Sequence, residues 1–163
     1  MSTRFVKSAQ VVRRMLVAWL LATATVAAAS SGPYDEAADA RAEIRAALRE
    51  GSRAKIPVLV VFGANWCADC KMLDAAFSQG ASARLIKANF RVVKVNVGRF
   101  DRNADIAASY GVPLKKGIPA VAVLSPQGTV MYATAGGELA DARAMGENGI
   151  FAFFSEVSGR LPK

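Results

Sequence analysis

The 163-residue sequence contains no histidine and only two cysteines, Cys67 and Cys70. A structural zinc site draws its four ligands mainly from these two residue types, so ligand count excludes that class. Neither cysteine lies near the N-terminus, which excludes a lipid attached there through a thiol. Acidic residues are the scarcer charged class, 13 against 21 basic. The basic residues are nevertheless scattered, whereas a nucleic-acid-binding face clusters them. Four of the 21, Arg4, Lys7, Arg13 and Arg14, fall in the first fourteen residues, and without them 17 basic side chains face 13 acidic ones. No nucleic-acid partner is expected. Internal repeats are lacking too, and the only biased stretch is the alanine-rich N-terminal segment. The remainder reads as one domain, and its hydrophobic content of 53% suffices for a core without help from a disulfide or a metal.

The N-terminal segment reads as a secretory signal. A basic stretch to Arg14 precedes Met15-Leu16-Val17-Ala18-Trp19-Leu20-Leu21, which runs through small residues to Ala27-Ala28-Ala29. Its apolar length falls short of the roughly twenty residues that a bilayer-spanning helix needs. Ala27 and Ala29 match the small-x-small pattern of a cleavage site, so cleavage is expected after Ala29. The expected organisation is a signal peptide over 1–29 and a single domain over 30–163. An uncleaved anchor is the competing reading; after cleavage no stable membrane insertion is expected. The expected location is the bacterial periplasm, where disulfide chemistry is permitted.

Hydrophobic periodicity outlines the domain. Asp35 to Glu50 carries apolar residues at helical spacing, with Gly51 as a natural stop. Val58-Leu59-Val60-Val61-Phe62 is too short and too β-branched for a helix and reads as a buried strand. A helix from Cys67 to Phe77 follows, then a strand over Phe90 to Val97 and a short helix from Asp101 to Tyr110. Ala120 to Leu124 and Thr129 to Thr134 read as strands joined by the turn Ser125-Pro126-Gln127-Gly128. Asp141 to Val157 closes the chain as a helix loosened at Gly146 and Gly149. A βαβ unit followed by a ββα unit implies an α/β fold with a mixed central sheet and helices on both faces.

Both cysteines stand in Trp66-Cys67-Ala68-Asp69-Cys70-Lys71, at the junction of the first strand with the second helix. Residues i and i+3 of a helix share a face at a separation that a disulfide can close. A sulfur at the first turn lies by unsatisfied N–H groups and the positive end of the helix dipole, which lowers its pKa and favours Cys67 as attacking thiolate. Cys70, one turn further in, is placed to resolve a mixed disulfide. Trp66 would cover the pair with a partly exposed ring. Two other readings stand beside redox exchange. The cysteines could be inert packing residues in a binding module, in which case Cys67→Ser keeps full function. They could instead hold two-coordinate Cu(I), in which case one ion binds per reduced chain.

The stretch from Val58 to Lys71 closely resembles the active-site segment of thioredoxin-fold proteins. Lys94-Val95-Asn96-Val97 looks like their second central strand, and Tyr110-Gly111-Val112 with Gly117-Ile118-Pro119-Ala120 resembles their cis-proline segment. The resemblance spans about residues 56–154. It implies a thioredoxin fold and a thiol–disulfide oxidoreductase that needs no cofactor and acts on protein substrates bearing disulfides or thiols. It further implies Cys67 as nucleophile, Cys70 as resolving thiol, Pro119 as the cis-proline, and Ile118 as the residue whose backbone pairs with a substrate strand. Two departures stand out. The family's buried carboxylate, six residues before the first cysteine, is replaced here by Val61. Asp69 is the nearest carboxylate in sequence and a candidate for proton transfer, with a solvated residue at the helix start as the plainer reading. Lys71, Lys115 and Lys116 read as solvated charges beside the site. The strongest oxidants of this fold carry a histidine between the cysteines; its absence and the anionic Asp69 point to a reductant, recharged by a membrane electron donor.

Overall fold

The computed structural model describes residues 32–162; the expected signal segment over 1–29 lies outside them. Helix α1 runs from Ala40 to Ala54. It starts at Asp39, whose carboxylate accepts the Ala42 N–H at 3.0 Å as an N-cap. Gly51 corrects the sequence reading, because it lies inside this helix and does not end it. A Cβ there would stand 2.6 Å from the Ile56 carbonyl oxygen, so glycine permits the close return of the chain into the first strand. The helix instead stops at Lys55, which adopts the left-handed conformation and donates its N–H to the Gly51 carbonyl.

Strand β1 (Val58–Gly63) is central in the order β2-β1-β3-β4. It pairs parallel with β2 (Arg91–Asn96) and antiparallel with β3 (Ala120–Leu124), which in turn pairs antiparallel with β4 (Val130–Ala133). Alternate residues of β1 point to opposite faces, and both faces are covered, so an unbroken apolar run is required there. Val58, Val60 and Phe62 pack with Ile44 of α1 and with Ile106 of α4 (Ala104–Ser109). On the other face, Leu59 and Val61 pack with Leu73 of α2 (Ala68–Ser78), Ile86 of α3 (Gly80–Asn89) and Phe154 of α5 (Ala142–Arg160). Helix α5 is interrupted at Gly146, where φ is 62°. Helices thus cover both faces of a mixed sheet, the α/β architecture that the element order implied.

Helix α3 has no counterpart among the elements read from the sequence. Gly80, Ser82 and Asn89 weaken its local helical signal, and its cap comes from far along the chain. The Ala81 N–H donates to the Glu147 carboxylate at 3.1 Å, across a separation of 66 residues. Among the described residues, no helix is long and apolar enough to cross a membrane.

Candidate active site

Strand β1 ends at Gly63, where a Cβ would lie 2.2 Å from the Tyr34 hydroxyl oxygen. Tyr34 is 1% exposed and fills that slot. Burial pushes its pKa well above the ordinary tyrosine value, and the nearby Asp74 charge adds to the effect. The turn that follows is tied down through Asn65. Its Oδ1 accepts the Tyr34 N–H at 2.9 Å, and its Nδ2 donates to the Tyr34 carbonyl at 2.8 Å and to the Glu36 carboxylate at 3.0 Å. Residues 32–39 therefore form a strap that holds the approach to the two cysteines. Neither Tyr34 nor Asn65 carried a signal in the sequence.

Cys67 is the N-cap of α2, and its Sγ accepts the Cys70 N–H at 3.0 Å. The two cysteines are joined in a disulfide with their Cα atoms 5.2 Å apart. Cys67 retains 5% exposure and Cys70 none, so an approaching partner meets Cys67 first. Cys67 Sγ lies 3.5 Å from the Ile118 carbonyl oxygen, which belongs to the segment leading into β3. The Ile118–Pro119 peptide is cis, and both residues are buried. A single-turn 3₁₀ helix, Leu114–Lys116, precedes them and leaves Lys115 and Lys116 exposed. Trp66 is 50% exposed, donates Nε1–H to the Gly98 carbonyl at 2.7 Å and meets the Phe100 ring edge-on.

Asp69 is not a free solvated carboxylate. It accepts the Arg143 backbone N–H at 3.0 Å and the Arg143 Nε and Nη2 at 3.2 Å each. These bonds, the guanidinium's first among them, hold its carboxyl below the usual carboxylate range. A carboxylate kept ionised in this way is a poor proton carrier near neutral pH. The arrangement instead fastens the first turn of α2 to the start of α5 and offsets the charge between the cysteines. At the position six residues before Cys67, Val61 is 2% exposed and pairs with Lys94 across the sheet. Lys94 forms an ion pair with Asp74, one helical turn beyond Cys70. Sequence spacing had not singled out Asp74, since its relation to Lys94 depends on how α2 lies over β2.

A cavity of about 880 Å³ lies at the opposite end of the sheet, between Lys55, Pro57, Leu85 and Pro126. Cys67 and Cys70 line none of it, consistent with a site that works at an open surface and not inside a small-molecule pocket.

A cysteine pair joined in a disulfide at a helix start, with only the first sulfur reaching the surface, on a βαβ–ββα scaffold defines a thiol–disulfide oxidoreductase. The thioredoxin-like family profile matches residues 39–126, and the chain belongs to that family. It is 40% identical over 82 residues to thioredoxin 1 of Chlorobaculum tepidum, spanning 50% of this chain and 72% of that protein. Against the thioredoxin of Rickettsia felis it is 34% identical over 64 residues, 39% of this chain and 56% of that one. It also resembles the crystal structure of a disulphide isomerase from Xylella fastidiosa Temecula1, with 48% identity and a TM-score of 0.76, over 80% of this chain and 99% of that chain. A thioredoxin from Thermus thermophilus, at 21% identity and a TM-score of 0.50 over 69% of this chain and 82% of that one, shares the fold.

Proposed function

We propose that this oxidoreductase is exported, loses residues 1–29, and reduces or reshuffles disulfides of protein clients in the periplasm. The arrangement of Cys67 carries this reading: its sulfur caps α2, faces the Ile118 carbonyl, and has the fully buried Cys70 one turn behind it. In the reduced protein the Cys67 thiolate attacks a client sulfur, forming a mixed disulfide and expelling the client's other sulfur as a thiolate. Cys70 then loses its proton and attacks Cys67 Sγ, releasing the second client thiolate and leaving the Cys67–Cys70 disulfide. Two electrons have passed to the client, so a donor must return two; a membrane electron donor is proposed for that role. Trp66 and the backbone of Ile118, beside Pro119, would hold the client strand.

The reducing direction is supported by the missing histidine. Asp69 no longer argues for it, because Arg143 offsets its charge. Isomerisation requires the same reduced dithiol, and the 48% identity to a disulphide isomerase supports including it. The redox potential is the deciding measurement. A value near the thioredoxin end, about −270 mV, is expected, and one near the strongly oxidising end, about −120 mV, would sink the reductant reading. Cys70→Ala should accumulate mixed disulfides with periplasmic proteins, which identifies the clients and tests the location together.

A further inference from the structure

Trp66 and Phe100 are the two most exposed large apolar side chains among the described residues, at 50% and 44%. They touch each other, with ring centroids 5.8 Å apart and planes at 69°, and Trp66 directly precedes Cys67 in the chain. Phe100 has a second unusual property, a φ of 68°. A bulky side chain rarely occupies the left-handed region, where glycine or asparagine would sit with less strain. The same loop uses those residues at its other positive-φ positions, Gly98 and Asn103. The loop is firmly built: the Phe100 N–H donates to the Val97 carbonyl at 2.8 Å, and Asn103 Nδ2 to the Asn96 carbonyl at 2.8 Å. A strained, exposed phenylalanine in an ordered loop contributes little to the core, and its one ring partner is the tryptophan next to the reactive sulfur.

We propose that Phe100, with Trp66, selects protein clients whose reactive cysteine is flanked by a bulky apolar side chain. The ring of Phe100 would cover that side chain while the client cysteine meets Cys67. This rests on the client-exchange reading above and names the class of client.

The test uses reduced protein and disulfide-bonded peptides that differ only in having phenylalanine or serine on either side of the cysteine. The readout is the second-order rate constant for peptide reduction in a single turnover, in which two peptide thiols form for each Cys67–Cys70 disulfide. The wild type should favour the phenylalanine peptides about tenfold, the lower end for one apolar contact. Phe100→Gly should lose most of that preference without a lower thermal midpoint, while Phe100→Tyr and the distant Val130→Thr keep it. Equal rates on both peptides in the wild type, or an undiminished preference in Phe100→Gly, would overturn the proposal. A Phe100→Gly protein that loses several degrees of midpoint would overturn it too, by showing that the ring serves the fold. The equilibrium position of the same reaction reads the redox direction separately, so failure of the reductant reading registers in a different quantity.

Discussion

From Val58 to Phe62, no residue of β1 is more than 2% exposed; four residues later, half of Trp66 stands in solvent. The change marks two kinds of construction. In the sheet interior the backbone pairs strand to strand, and the side chains need only be apolar and of suitable size. At the end of β1 the chain is held by specific bonds from remote segments: Tyr34 to Asn65, Gly98 to Trp66 and Arg143 to Asp69. Glycine, asparagine and one phenylalanine take left-handed conformations there. Stability is concentrated in the first region and reactivity in the second, and such separation lets a reactive end vary while the scaffold stays intact.

Three substitutions probe that separation. The largest effect is expected in the interior. Phe154 is fully buried between the rings of Phe77 and Phe153, and Phe154→Ala should lower the unfolding free energy by about 3–5 kcal/mol. Denaturant titration measures this, and the Cys67–Cys70 potential should stay unchanged; a shifted potential would show that the two regions are coupled. Next comes the strap. Asn65→Ala removes the partner of the Tyr34 N–H and carbonyl, and should cost about 1–2 kcal/mol. Unlike the core variant, it should also slow disulfide exchange, which stopped-flow tryptophan fluorescence can follow through Trp66.

The smallest effect belongs to Asp69→Asn, about 1 kcal/mol at pH 7, because Arg143 is largely exposed and solvent screens the pair. The folded-state pKa of Asp69 lies below its unfolded value. Its contribution is therefore fully present above the unfolded carboxylate range, about pH 4, and is lost as pH falls through the folded pKa. Unfolding curves of wild type and variant should converge on acidification from about pH 4 downward. A gap that stays constant down to pH 2 would show that the carboxylate's charge plays no part.

Legibility in the sequence follows the same division. β1 and β3 were readable because a fully buried strand has one composition that works, β-branched and apolar. The cysteine pair was readable because its spacing and its position after a strand are local facts. The end of α1 was misread at Gly51, where glycine answers the close approach of Ile56 and not a helix stop. α3 went unseen because its cap, Glu147, is supplied by α5. Asp69 could be noticed but not interpreted, since the residue that defines its state, Arg143, lies 74 positions away.

The sequence by itself determined the order of the strands and of every helix but α3, and the placement of a dithiol at the start of α2, because periodicity and helix geometry act over a few residues. Only the tertiary structure decided the surroundings of that dithiol. Tyr34 occupies the slot left by Gly63, Arg143 holds Asp69 ionised, and Phe100 stands edge-on to Trp66. Each of these joins residues at least 29 positions apart, a range over which a chain carries no periodic signal. Only closure of the sheet brings such partners within bonding distance.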